Sequence, residues 1–195
     1  IPRQGDDERF PGGFVISAEK CPNRLGVEAV AYSFEQPPMN FDELLAGARN
    51  SEIDTIIILG GYVKPWVDAE QAATLRRTGF LIVTDLFPTP LTDRADLVFG
   101  MAAYPEHEGS YVNRRHRLQW LTRAVRPPLG SRCLGSIFWE LNGMSGLYQP
   151  RDVLAEMART IPYFSAATGR IPEHGVDLRV NQLAEQETSS ERSTM

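Results

Sequence analysis

The chain has 195 residues, 42% of them hydrophobic, enough for one good core with an appendage. Its 25 Asp and Glu outweigh 20 Lys and Arg, for a net charge of −5, which argues against any global attraction to nucleic acid or anionic membrane and leaves only local polyanion sites. No apolar run approaches the roughly eighteen residues of a membrane span, the opening residues do not show the charged-then-apolar pattern expected of a signal peptide, and Cys21, Cys133, His107, His116 and His174 are too scattered for a metal-ligand set.

The first residues, Ile-Pro-Arg, lack an initiating Met, which suggests processing, trimming or a piece of a longer polypeptide. Residues 1–12 are polar and rich in Pro and Gly, and are expected to form an arm. "GFVISAE" (13–19) has the composition of a short buried strand, and "CPNRLGVEAVAY" of a turn followed by a short helix. Asn40 and Glu43 in "NFDELLAGARN" are spaced as a capping box, with Leu44, Leu45 and Ala48 on the buried stripe.

"DTIIILGG" (54–61) is an unbroken apolar, β-branched run ending in two glycines. Its lack of alternation predicts a strand buried on both faces of a parallel sheet. "DAEQAATLRRTG" (68–79) predicts a helix with Asp68 as N-cap, Gln71 completing the box and Gly79 as its stop. "FLIVTD" (80–85) predicts a second buried strand, making a βαβ unit with parallel strands. "ADLVFGMA" (95–102) gives a third strand after a Pro-rich turn.

From Tyr111 to Val125 the pattern fits an extended or hairpin segment. "GSIFWELNG" and "QPRDVLAEMARTI" then predict two helices, the second with Pro150 at its first position and Val153, Leu154, Met157 and Ile161 on one face. The last residues are polar and lack a core-forming pattern. The expected organisation is an arm over 1–12, an α/β domain over 13–127, a helical appendage over 128–174 and a disordered tail over 175–195.

Gly60 and Gly61 at a strand end could let a backbone approach a phosphate. Asp85 ends the next strand where a dinucleotide-binding fold places its ribose-reading carboxylate. The same glycines also suit a sheet turning a corner, and "GGYVKPW" is not G-x-G-x-x-G, so a nucleotide-binding module and a plain turn both stay open.

Several stretches taken in order resemble the molybdopterin oxidoreductase superfamily. Gly60-Gly61-Tyr62-Val63 stands where members carry Gly-x-Asn-Pro. "FLIVTDLFPT" (80–89) is similar to "DFLVVQD-F-TET", Ala95-Asp96-Leu97-Val98 to "ADVVLP", and "EHEGSYVN" (106–113) with Arg117-Leu118-Gln119 to "EKEGTFTN-EGR-Q". "CPNRLGVEAV" resembles "PN-RGA-EAG". The match covers roughly residues 20 to 127. Departures are the missing Asn-Pro, "PLT" for "TET", "LVFGM" for "VVLP" and "RHR" for "EGR".

The resemblance implies an α/β fold with a mostly parallel sheet flanked by helices. In members that hold a molybdopterin guanine dinucleotide, the matching positions Gly60, Gly61, Asp85, Thr89, Asn113, Arg117 and Gln119 would line the cofactor. "AVRPPLGSRCLGSIFWELNG" is further similar to the large iron–sulfur subunit of respiratory NADH:quinone oxidoreductase, where such a domain survives as a scaffold. That likeness implies no cofactor and no metal in this chain, no catalytic residue, and partners that are other subunits or iron–sulfur segments of an electron-transfer complex. It also implies a cytoplasmic place, peripheral to the inner membrane through those partners. The alternative is half of a cofactor cradle in a formate-dehydrogenase- or nitrate-reductase-like enzyme.

Family geometry would put a tight turn at Glu108 to Asn113, bring Arg117 and Gln119 to the glycine-loop side, and leave Arg114 and Arg115 to water or a partner. The tail is the most directly checked of these expectations. Limited proteolysis should remove residues after about 185 while the remainder stays intact, because "QETSSERSTM" buries too little to offset its ordering entropy. Protected amides throughout 186–195 would contradict it.

Overall fold

Apolar runs become strands and capped amphipathic stretches become helices in the computed structural model, which describes residues 6–18, 21–35, 39–62 and 66–179. In chain order these are β1 (Glu8–Arg9), β2 (Val15–Ile16), α1 (Arg24–Ala31), α2 (Phe41–Arg49), β3 (Thr55–Leu59), α3 (Ala69–Leu75), β4 (Phe80–Asp85) and β5 (Leu97–Gly100). There follow β6 (Gly109–Val112), β7 (Arg117–Leu121), α4 (Leu134–Leu141), α5 (Pro150–Thr160) and β8 (Val176–Asp177). The fold is α/β, and its described residues divide into two units.

The first unit takes residues 39–107 and 123–148. Its sheet is parallel, in the order β3-β4-β5, with Ile57 opposite Ile82 and Ile82 opposite Leu97. Both helices before β4 start on complete capping boxes, Asn40 with Glu43 and Asp68 with Gln71, so their first N–H groups are satisfied locally. Leu45 of α2 and Ala72 and Leu75 of α3 pack with Ile56, Ile58, Leu81 and Val83 in one core. Asp96 fixes the entry to β5: one oxygen accepts from Leu81 N at 2.8 Å and the other from the Arg76 guanidinium at 2.9 Å.

The second unit takes the residues up to 35, then Glu108–Thr122 and 149–179. β6 and β7 form an antiparallel hairpin, and β8 adds to β7 with Arg117 opposite Asp177. Val112, Leu118, Leu154, Phe164, Ala167, Ile171 and Leu178 make its core, with Leu25, Ala29 and Val30 of α1 against it. Asn23, just before α1, makes no helix cap; its Oδ1 instead accepts from Val112 N at 2.8 Å, tying α1 to β6. The Arg151 guanidinium lies 4.1 Å above the Trp120 ring.

Several expectations need correction. β3 is not buried on both faces. Ile56 and Ile58 are buried while Ile57 and Leu59 are 42% and 45% exposed, because α2 and α3 both pack against the same face. α3 ends at Leu75, four residues before Gly79; that glycine serves a close approach, since a Cβ there would sit 2.8 Å from the Asp54 carbonyl. Of the stretch 13–19, the described residues 13–18 hold only the two-residue β2, paired with β1 in a hairpin that includes part of the expected arm, and Phe14 is exposed. Gly109–Val112 is a strand, so the tight turn falls one step later, at Asn113–His116.

The appendage expected over 128–174 is divided: α4 belongs to the first unit and α5 to the second, where Leu154 joins the core. Residues 175–179 do not start a tail, since β8 pairs with β7 and Leu178 is fully buried. The remaining tail residues, 180–195, lie outside the described residues.

The alternation along β3 predicts unequal costs for two like substitutions. Ile58→Ala should destabilise the chain by about 2–4 kcal/mol, and Ile57→Ala by less than about 1 kcal/mol, in chemical denaturation. Equal costs would mean that both faces are covered in solution.

Candidate functional site

The parallel register that sets Leu59 beside Thr84 brings Gly60 next to Asp85 at the carboxyl end of the sheet. The ladder runs one step beyond the strands, with Gly60 N donating to Thr84 O at 2.7 Å and Met101 N to Asp85 O at 3.1 Å. Ligand sites of open parallel sheets lie at this edge. The Asp85 side chain is buried, and its Oδ1 accepts two backbone bonds, from Gly61 N at 2.9 Å and Leu86 N at 2.7 Å.

Both glycines have a steric reason. A Cβ on Gly60 would overlap the Asp85 carboxylate, and Gly61 sits at φ 109°, which side-chain-bearing residues rarely adopt. The Met101 side chain approaches Gly61 to van der Waals distance, 3.4 Å from where a Cβ would stand.

A phosphate cradle needs backbone N–H groups that are free and no anion already among them. Here Gly61 and Leu86 give their N–H groups to a carboxylate of the chain itself. The residues present therefore do not fit a pyrophosphate at this turn. Val63, Lys64 and Pro65, which continue it, lie outside the described residues.

The other expected site residues have partners of their own. Thr89 is buried and exchanges hydrogen bonds with Thr92: Thr89 N donates to Thr92 Oγ1 at 2.7 Å, and Thr92 N to Thr89 Oγ1 at 3.3 Å. Asn113, Arg117 and Gln119 belong to the second unit. Asn113 Oδ1 accepts from Arg115 N at 2.9 Å and Arg117 N at 3.2 Å, so its side chain shapes its own turn. The Arg117 guanidinium donates to the carbonyls of His174 and Gly175, at 3.1 and 3.3 Å. Gln119 is an exposed residue of β7. Gly60, Gly61 and Asp85 thus come together, Thr89 lies in the loop after β4, and the remaining three are built into a different sheet.

Sequence reasoning overlooked a group in the second unit. His116 Nδ1 and the Tyr163 hydroxyl lie 2.8 Å apart. Burial pushes the Tyr163 phenol up, and the Asp177 carboxylate acts in the same direction. Asp177 is held far below the ordinary carboxylate range by hydrogen bonds from Arg179, whose Nε and Nη2 grip it at 3.0 and 2.6 Å. Only proximity in the fold links Tyr163 to His116, so no motif could have announced the pair. Among the described residues no three of His, Cys, Asp and Glu gather as a metal-ligand set, and no helix is long and apolar enough to cross a membrane.

The chain belongs to the molybdopterin oxidoreductase family, whose model matches residues 22–143. It is similar to an NADH-quinone oxidoreductase subunit of Streptomyces coelicolor, 27% identical over 126 residues, covering 60% of this chain and 15% of the relative. A putative formate dehydrogenase of Staphylococcus haemolyticus is 24% identical over 165 residues, covering 81% of this chain and 17% of that protein. The alpha subunit of an NADPH-Fe(3+) oxidoreductase of Geobacter sulfurreducens is 28% identical over 134 residues, covering 66% and 16%. The chain therefore spans 15–17% of the length of these relatives.

The Gly60–Asp85 contact predicts a coupled pair of substitutions. Gly60→Ala should destabilise the chain by displacing the carboxylate, and Asp85→Ala by about 1–3 kcal/mol through the two N–H groups it strands. The double variant should be less destabilised than the sum, since removing the carboxylate opens room for the new methyl group. Strict additivity in a double-mutant cycle would show that the two residues do not touch.

Proposed function

We propose that this member of the molybdopterin oxidoreductase family is a non-catalytic scaffold domain of an electron-transfer complex like NADH:quinone oxidoreductase. Electrons pass through iron–sulfur centres on partner segments, and this chain supplies a rigid α/β surface without a dinucleotide cofactor of its own. One observation carries the reading: the carboxylate of Asp85 takes up the N–H groups of Gly61 and Leu86 that an anionic ligand would need. The engagement of Thr89 with Thr92 and of Asn113 within its own turn supports it, since both side chains are already committed to the fold. The chain works in the cytoplasm, reaching the inner membrane only through its partners.

A second reading draws on the likeness to a putative formate dehydrogenase, which extends over 81% of this chain. It makes residues 60, 61, 85, 89, 113, 117 and 119 part of a molybdopterin guanine dinucleotide cradle, completed by other segments. That group would bring oxygen-atom and electron-transfer chemistry to a molybdenum centre. Gly61 N would have to give up its bond to Asp85 to receive the cofactor's phosphates.

Elemental analysis separates the two. Chain produced in a host that makes molybdopterin cofactors, and purified with whatever remains bound, should contain neither molybdenum nor iron in stoichiometric amount. One molybdenum per chain, accompanied by guanine released on acid treatment, would overturn the scaffold reading in favour of the cradle. Saturable binding of GTP or NAD without any metal would overturn both and leave a nucleotide-binding module.

A further inference from the structure

The turn between β6 and β7 is built more firmly than a solvated loop requires. Asn113 N donates to Arg117 O at 3.0 Å, and His116 N to Asn113 O at 2.9 Å, so residues 113–116 form a β-turn closed on the hairpin. Asn113 Oδ1 takes the N–H groups of Arg115 and Arg117 as well. His116 closes the turn at φ 59°, in the left-handed region where glycine is the ordinary choice. Two bonds hold it there: its carbonyl accepts from Leu178 N at 2.9 Å, and its ring meets the Tyr163 hydroxyl. The turn thus depends on Asn113 at its first position and on a braced residue at its fourth.

Nothing in this scheme calls for arginine at the two central positions, which accept most residue types in such a turn. Yet Arg114 and Arg115 occupy them, both exposed, and neither side chain has an ion pair or hydrogen bond among the described residues. Five other arginines of the same unit are engaged: Arg24 with Glu28, Arg159 with Glu156, Arg179 with Asp177, Arg151 over Trp120, and Arg117 on two carbonyls. Arg9 and Arg170 are exposed and unengaged among the described residues as well, but each stands singly, whereas Arg114 and Arg115 are adjacent on one fixed turn. Asp177, on β8 opposite Arg117, is held by Arg179.

We propose that the Arg114–Arg115 tip is a docking point for a carboxylate-rich surface of a partner protein. A guanidinium binds a carboxylate through two parallel bonds, and a turn already fixed by its own hydrogen bonds loses little backbone freedom on binding. A free phosphate fits less well, because the N–H groups of residues 113, 115, 116 and 117 all point into the turn's own acceptors. Nucleic acid fits less well too. The charged footprint is two residues long on a chain of net charge −5, and the adjacent His116 ring is turned to Tyr163 and not presented for stacking. A lipid surface would want an apolar side chain at the tip, and the turn residues are Asn, Arg, Arg and His. The inference stands apart from the scaffold reading, since it needs neither presence nor absence of a cofactor.

The test is a titration of the isotope-labelled full chain with a deca-glutamate peptide at about 50 mM salt, followed by NMR. The backbone amides and Nε–H signals of Arg114 and Arg115 should move together and saturate, ahead of those of Arg24, Arg159 and Arg179. Arg114→Ala with Arg115→Ala should weaken binding by about tenfold or more and leave the unfolding midpoint unchanged. Arg114→Lys with Arg115→Lys, which keeps the charge and removes the fork, should fall between. The proposal is overturned if the tip signals stay still, if the double alanine variant binds like the original, or if the same signals respond more tightly to inorganic phosphate, a short DNA duplex or phosphatidylserine vesicles.

Discussion

Two N–H groups meeting a single buried carboxylate oxygen, at Asp85, set the character of the parallel-sheet unit. The register of β3 against β4 delivers the glycine turn to this oxygen, and the hydrogen bonds from Gly61 and Leu86 hold the two strand exits together. In a sheet of three strands the carboxyl edge is otherwise open, with backbone groups that must find partners. Asp85 supplies them from within the chain. The same choice makes Gly60 obligatory, because the carboxylate fills the space a side chain would take. Support for the fold and availability for an anionic ligand thus compete for one set of donors, and here the fold has them.

A comparable arrangement recurs elsewhere. Asp96 uses its two oxygens to join β5 to β4 and to the end of α3, and Asn23 commits its side chain to β6 and not to the helix it precedes. Polar residues that sequence patterns associate with caps or ligands are occupied as clasps between elements distant in the chain. A buried polar group with a good partner costs little, whereas one stripped of its partner costs about 1–3 kcal/mol. Each clasp is therefore hard to divert to a new ligand.

Much of the fold was legible because local rules and tertiary structure agree. Both capping boxes, the parallel pairing of 55–59 with 80–85, the third strand and the Pro150 helix start follow from patterns of a few residues. Illegible features depend on neighbours absent from the local pattern. The run "TIIIL" is apolar at nearly every position, so composition alone cannot tell that Ile57 and Leu59 lack the cover that Ile56 and Ile58 have. The site was legible in the same proportion. Gly60, Gly61 and Asp85 do meet, as strand-end geometry implies, but a motif cannot say that the carboxylate turns back onto the glycine turn. His116 and Tyr163 are 47 residues apart, and only the packing of the second unit joins them.

Because the two units are interleaved along the chain, their order of completion during synthesis is set by the sequence. The parallel-sheet unit has its last segment once residue 148 has left the ribosome, and its main pairings are between strands close in sequence. The other unit begins first and finishes last: α1 and the β6–β7 hairpin must wait for α5 and β8, so that Leu118 meets Val176 only at the end. Contacts over such separations form slowly, and until they do the apolar sides of α1 and β7 stand uncovered in a nascent chain. A ribosome stalled with residue 148 just clear of its exit would carry one body with all its segments and one that has no means of closing.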